Sequence, residues 1–292
     1  MLNTSFSSKK RAIVRVVLGQ VQIVGAIVGL CLLLKTGVSR LTVGVIIAIA
    51  AVSLISRFLF ETQVTYSNSS MKRYLSEFLG TFALVFAGTG AIVINSVSNG
   101  VIGHAGIALT FGLIVLAMIY TFGDVSGAHL NPAVRTAFAV ARRLAWHEVP
   151  PHVVAQVAGA FTASGLLRAL FPTDPKLGAT LPAGSAGQSF ILEAVLTFIL
   201  MLVILSVSTG AKEKGITAGI AVGSVIGLEA MFAGPICGAS MNPARSLAPA
   251  VVSGNLQHLW LYFVAPILGA TLATFACRCV REEGCCGKDL MA

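Results

Sequence analysis

The 292 residues are 56% apolar and only 11% charged, with a net charge of +9. A soluble domain carries about a quarter charged residues, so this composition excludes an ordinary water-soluble enzyme and points to lipid as the surrounding solvent. The basic excess is not a nucleic-acid footprint, because Lys and Arg stand in short clusters beside apolar runs, as the positive-inside bias of membrane proteins requires. Runs of about 20 apolar residues cross a bilayer as helices. Their continuous character selects helices over a closed barrel, the other structure that satisfies its backbone in lipid.

In chain order, two apolar runs come first, over 12–34 and 41–60, followed by a polar stretch over 61–72. They predict an N-terminal hydrophobic hairpin within residues 1–70. Arg15, Gln20, Gln22 and Arg57 give it a heavy polar load for lipid. Three readings stay open: a genuine two-helix addition, a loosely attached hairpin, or a stretch upstream of a start at Met71. The favoured expectation is that it is dispensable for the rest. No cleavable signal peptide is expected, since no small-residue cleavage site follows the run after Lys9-Lys10-Arg11.

Six further runs, over 74–95, 102–122, 149–171, 189–209, 215–233 and 259–280, predict the spans of a body at 71–282, with a tail at 283–292. Lys72, Arg73, Arg142, Arg143, Lys212, Lys214, Arg278 and Arg281 fall on one side of such a body, and Lys176 falls on the other, which predicts cytoplasmic termini. Cys277, Cys279, Cys285 and Cys286 are then expected in the reducing cytoplasm, as surface thiols or lipidation sites ahead of a soft-metal site. Small residues recur at helical spacing at Ala155, Gly159 and Ala163, and at Gly219, Gly223 and Gly227, as faces for close helix packing.

The most informative feature is a repeat. Gly127-Ala128-His129-Leu130-Asn131-Pro132-Ala133 recurs as Gly238-Ala239-Ser240-Met241-Asn242-Pro243-Ala244. Each copy closes an apolar run, and Pro in a first helical turn loses no backbone bond, so each predicts a half-length helix, running to about residues 141 and 252. Glu77 repeats as Glu193, and Thr110-Phe111-Gly112 as Ala221-Val222-Gly223. Three spans per half invert the second copy, a common plan for transporters and channels.

Inversion brings two helix N-termini together at mid-bilayer, each with unpaired N–H groups and a partial positive charge. Asn131 and Asn242 cap them and have amide protons left to donate to a passing oxygen. Cations and hydronium meet positive potential there, the principle already described for water pores built on half-helix dipoles. Carbonyls of Gly127, Ala128 and His129, and of Gly238, Ala239 and Ser240, are expected to line the lumen, because non-helical backbone at this depth must face protein or water. Glu77 and Glu193 are expected to support these loops rather than perform acid–base catalysis, since no nucleophile or metal cluster accompanies them. No enzyme activity, metal or cofactor is expected.

At these residues the chain resembles the major intrinsic proteins, the family of aquaporins and aquaglyceroporins, over about 71–280. The resemblance implies an all-α membrane fold of six spans and two half-helices, one pore per subunit, a homotetramer, and a place in the plasma membrane. It implies passive passage of water and small neutral solutes. It also implies a narrow filter at Phe111, Ala230, Ala239 and Arg245. Water-selective members place His where Ala230 stands, and its absence here widens the filter. Glycerol facilitators place Asp after the filter Arg, where this chain has Ser246. Ser246, Ala250, Tyr262 and Phe263 look more like the water-channel pattern, whereas the filter looks like that of bacterial and plant nodulin-like members. Water plus glycerol-sized solutes is therefore the expectation, with metalloid hydroxides within range.

Two residues depart from the family pattern. Arg135 stands where a small residue is usual, and a salt bridge or a snorkel toward the cytoplasm is preferred over a second filter. Glu229 is an intramembrane acid, a functional candidate by default. A bland role, bonding backbone or reaching the outer interface, weighs equally. A proton-coupled transporter and an intramembrane hydrolase are the rival functions, and the second lacks a plausible nucleophile–base pair.

Overall fold

The computed structural model describes residues 69–208 and 212–280, with backbone alone at 69 and 212–216. These belong to a compact unit, Asn68–Ala292. The hairpin expected within 1–70 and the tail expected over 283–292 lie outside the described residues.

The described chain is helical throughout: α1 Ser69–Val97, α2 Gly103–Ser126, α3 Pro132–Val140, α4 Val149–Leu170, α5 Ala186–Val207, α6 Lys212–Cys237, α7 Pro243–Ser253 and α8 Leu261–Val280. A short 3-10 turn, Trp146–Glu148, precedes α4. All but α3 and α7 are long and apolar enough to cross a membrane. The helices overrun the apolar runs by a few residues where polar chain continues the spiral, as at Ser69–Arg73 and Gly123–Ser126.

The two halves pack alike. In the first, α1 lies against α2 and α4; in the second, α5 lies against α6 and α8. Helix α2 meets α6 between the halves, and each half-helix packs on the last span of the other half, α3 on α8 and α7 on α4. Glycine makes these crossings close. A Cβ on Gly112 would sit 2.6 Å from the carbonyl of Gly223, and one on Gly223 would sit 2.6 Å from the carbonyl of Gly112. A Cβ on Gly159 of α4 would run into the Phe78 carbonyl, and one on Gly269 of α8 into that of Ala194. Phe78 and Ala194 follow Glu77 and Glu193, so the repeat extends to the packing contacts.

Candidate functional site

Both repeated segments leave their helix in the same way. Gly127 ends α2 in the left-handed region with φ 85°, its N–H bonded to the Gly123 carbonyl, and Gly238 ends α6 with φ 84° on the Gly234 carbonyl. Ala128 and Leu130 (φ 45° and 51°) are matched by Ala239 and Met241 (φ 38° and 52°). Left-handed backbone at non-glycine residues costs on the order of 1 kcal/mol each, so something must hold these loops. The two buried glutamates do. Glu77 accepts hydrogen bonds from His129 N–H (3.0 Å), Leu130 N–H (2.8 Å), the Ser126 hydroxyl (2.8 Å) and Gln156 Nε2 (2.7 Å). Glu193 accepts from Ser240 N–H (2.7 Å) and Met241 N–H (2.8 Å). Ser126 also accepts from the Ala128 N–H, and Cys237, its counterpart, from the Ala239 N–H.

Asn131 and Asn242 cap α3 and α7. Their Oδ1 atoms accept from Ala133 N–H (2.9 Å) and Ala244 N–H (3.0 Å), and Asn242 Oδ1 also accepts from Arg245 N–H. Their Nδ2 atoms reach across the repeat. Asn131 donates to the Met241 carbonyl at 2.7 Å, and Asn242 to the Leu130 carbonyl at 2.8 Å. One proton of each amide therefore ties the halves together, and one remains. Pro132, Ala133, Pro243 and Ala244 are buried behind the two caps.

A single cavity of about 120 Å³ runs past both caps. Phe111, Ala230, Ala239 and Arg245 line it, as do Gly127, Ala128, His129, Ser240, Asn131 and Asn242. Gly238 does not: the position of its missing Cβ faces Thr180, at 3.0 Å, because the turn out of α6 aims it at the long connection before α5. Leu84, Val115, Leu200 and Val222 supply an apolar wall opposite the loops. Arg245 is only 3% exposed. Its Nη1 donates to the Gly178 carbonyl at 2.9 Å, and its guanidinium lies 5.0 Å from the Phe111 ring centre.

Arg135, also 3% exposed, forms a salt bridge to Glu148 at 2.9 Å. It does not snorkel. Arg73 shares the same Glu148 carboxylate. Glu229 takes neither bland role: it is 1% exposed, and among the described residues neither carboxylate oxygen has a hydrogen-bond partner. It stands outside the cavity lining, although the next residue, Ala230, is in it. Cys277 departs from the expectation of reduced thiols. It is disulfide-bonded, whereas Cys237 and Cys279 are free, and Cys285 and Cys286 lie outside the described residues.

Several supporting residues gave no signal in the sequence. Gly178 positions Arg245 from within the connection between α4 and α5, and Asp174 shapes that turn by accepting from Lys176 and Leu177 N–H. A hydroxyl chain joins Thr180, Ser246 and Ser240. Gln156 backs Glu77. Gly178, Thr180 and Gln156 act across long sequence separation from elements that read only as loop or span, whereas Asp174 acts on its own turn.

The model of the family described as Major intrinsic protein matches residues 64–277. The chain is 45% identical over 219 residues to aquaporin NIP1-1 of Oryza sativa subsp. japonica, covering 75% of this chain and 77% of that one. It is 45% identical over 211 residues to putative aquaporin NIP4-1 of Arabidopsis thaliana, covering 72% and 75%. The solved aquaglyceroporin from Plasmodium falciparum superposes with a TM-score of 0.64 at 28% identity, covering 73% of this chain and 97% of that one.

Proposed function

Because this chain belongs to the major intrinsic protein family, and is a multi-pass membrane channel that passes water and small solutes passively, we propose that two constrictions decide what it passes. One is the pair of caps, Asn131-Pro132-Ala133 and Asn242-Pro243-Ala244. The other is a filter of Phe111, Ala230, Ala239 and Arg245. The observation that carries this reading is that the two capping Asn residues, the four filter positions and the loop residues Gly127, Ala128, His129 and Ser240 all line one cavity. The two half-helices point their positive ends at it. The remaining amide proton of each Asn turns a water oxygen toward itself, which interrupts a proton wire. Arg245 adds a fixed charge held by Gly178. The filter's two alanines leave it wide, so glycerol-sized neutral molecules and metalloid hydroxides pass along with water. Glu77 and Glu193 take no catalytic part, since their lone pairs are occupied by the loops.

The test is stopped-flow light scattering on vesicles holding the full chain, comparing water, glycerol, urea and arsenous acid. Water and glycerol flux are both expected; water flux without glycerol flux sinks the wide filter. Arg245→Val, which copies Val134 of the other half, is expected to raise proton leak about tenfold, the weight of one charge-assisted hydrogen bond. Saturable flux that follows an imposed proton gradient would instead favour a coupled transporter.

We also propose a homotetramer in the plasma membrane with both ends of the body in the cytoplasm. The outward faces of α2 and α6 support association, with Leu109, Leu113 and Leu228 more than half exposed. The basic cluster at Lys72, Arg73, Arg142, Arg143 and Arg278 supports the orientation. Native mass measurement in a mild detergent is expected to give four copies.

A further inference from the structure

The two halves place a contact at equivalent positions and fill it differently. The residue two before each capping Asn touches the residue four after it. In the second half these are Ser240 and Ser246, joined hydroxyl to hydroxyl. In the first they are His129 and Arg135, with Arg135 Nη1 3.1 Å from His129 Nδ1. A guanidinium has only donors, so His129 Nδ1 accepts, and the ring's proton sits on Nε2. Among the described residues nothing else bonds Nδ1. The ring is further held by stacking on Phe138, with centroids 4.4 Å apart and planes within 11°.

His152 does not share this state. Its Nδ1 lies 2.6 Å from the Glu148 carbonyl, so it donates there, and Arg135 Nη2 beside it at 3.1 Å finds its acceptor in the Glu148 carboxylate instead. Arg135 is thus anchored by Glu148 and spends its other arm on His129. The free edge of His129 lies over Gly127, where a Cβ would come 3.0 Å from Nε2, and both residues line the cavity.

We propose that Arg135 is a positioning residue for permeation: it locks His129 in one tautomer and one orientation, so that an Nε2–H donor stands fixed in the cavity wall on the α3 side of the caps. This rests on the channel reading above and deepens it. A fixed donor gives a passing oxygen a partner where the opposite wall, at Leu200, Ile204 and Val222, offers none. A ring free to change tautomer would offer a donor or a lone pair in turn. The equivalent pair in the other half, two hydroxyls, imposes no such choice.

Two readouts test it on the full chain in lipid vesicles. The first is solid-state NMR of 15N-histidine protein, with the His129 signals assigned by their loss in His129→Gln. The wild type is expected to show an unprotonated Nδ1 and a protonated Nε2, and Arg135→Thr a mixture of tautomers. A protonated Nδ1 in the wild type overturns the proposal whether or not the variant folds. The second is the ratio of glycerol to water permeability, which cancels the number of channels. Arg135→Thr is expected to lower it about fivefold, the weight of one net hydrogen bond. An unchanged ratio in Arg135→Thr overturns the proposal. Absence of any flux in the wild type would instead remove the channel reading.

Discussion

Glu77 and Glu193 occupy equivalent positions but carry unequal loads. Glu77 accepts from two backbone N–H groups and from Ser126 and Gln156, while Glu193 accepts from Ser240 and Met241 N–H. A buried donor left without a partner costs about 1–3 kcal/mol. Glu77→Ala is therefore expected to lower the melting temperature in detergent more than Glu193→Ala, with water flux lost in both as the strained loops relax. Glu229 should behave in the opposite way. Its carboxyl is buried without a hydrogen bond among the described residues, and an unsatisfied buried polar group carries a penalty of about 1–3 kcal/mol that an apolar side chain of similar size removes. Glu229→Leu is expected to melt higher than the wild type; a lower melting point would mean that the carboxyl has a partner that the buried site conceals. At this scale the sequence disclosed the paired glutamates through their repetition. It did not disclose that each Asn amide bonds the opposite loop, because that bond joins residues on different halves.

Helix starts and stops were legible wherever apolar runs met Gly, Pro or Asn. The half-helices begin at Pro132 and Pro243 because Pro loses nothing in a first turn and Asn supplies the cap. The small-residue faces were also legible, but not their partners. Gly159 packs against the α1 backbone at Phe78, and Gly165, on the same helix, has nothing within 4 Å of its missing Cβ. Gly159→Ala is expected to cost about 1–3 kcal/mol by forcing α1 and α4 apart. Gly165→Ala is expected to gain about 0.5–1 kcal/mol through helix propensity. Thermal melts of the two variants against the wild type check both. Equal effects would mean that the α1–α4 approach is not set by Gly159.

For the whole molecule, the compact unit Asn68–Ala292 contains every residue of the proposed pore. A chain beginning at Met71 is therefore expected to conduct water per copy like the full chain, as a domain with its own core does when it stands alone. A loss of more than about tenfold in folded yield or flux would assign the first seventy residues a structural role. The sequence alone determined the membrane environment, the six spans, the inverted repeat and the two capped half-helices, because all of these follow from local hydropathy and from short motifs whose chemistry acts on neighbouring residues. Only the tertiary structure decided that both caps, Arg245 and Phe111 share one cavity, that Gly178 holds Arg245, and that Arg135 faces His129 rather than water. Those contacts join residues far apart in the chain, and their existence depends on how closely glycine lets the helices cross.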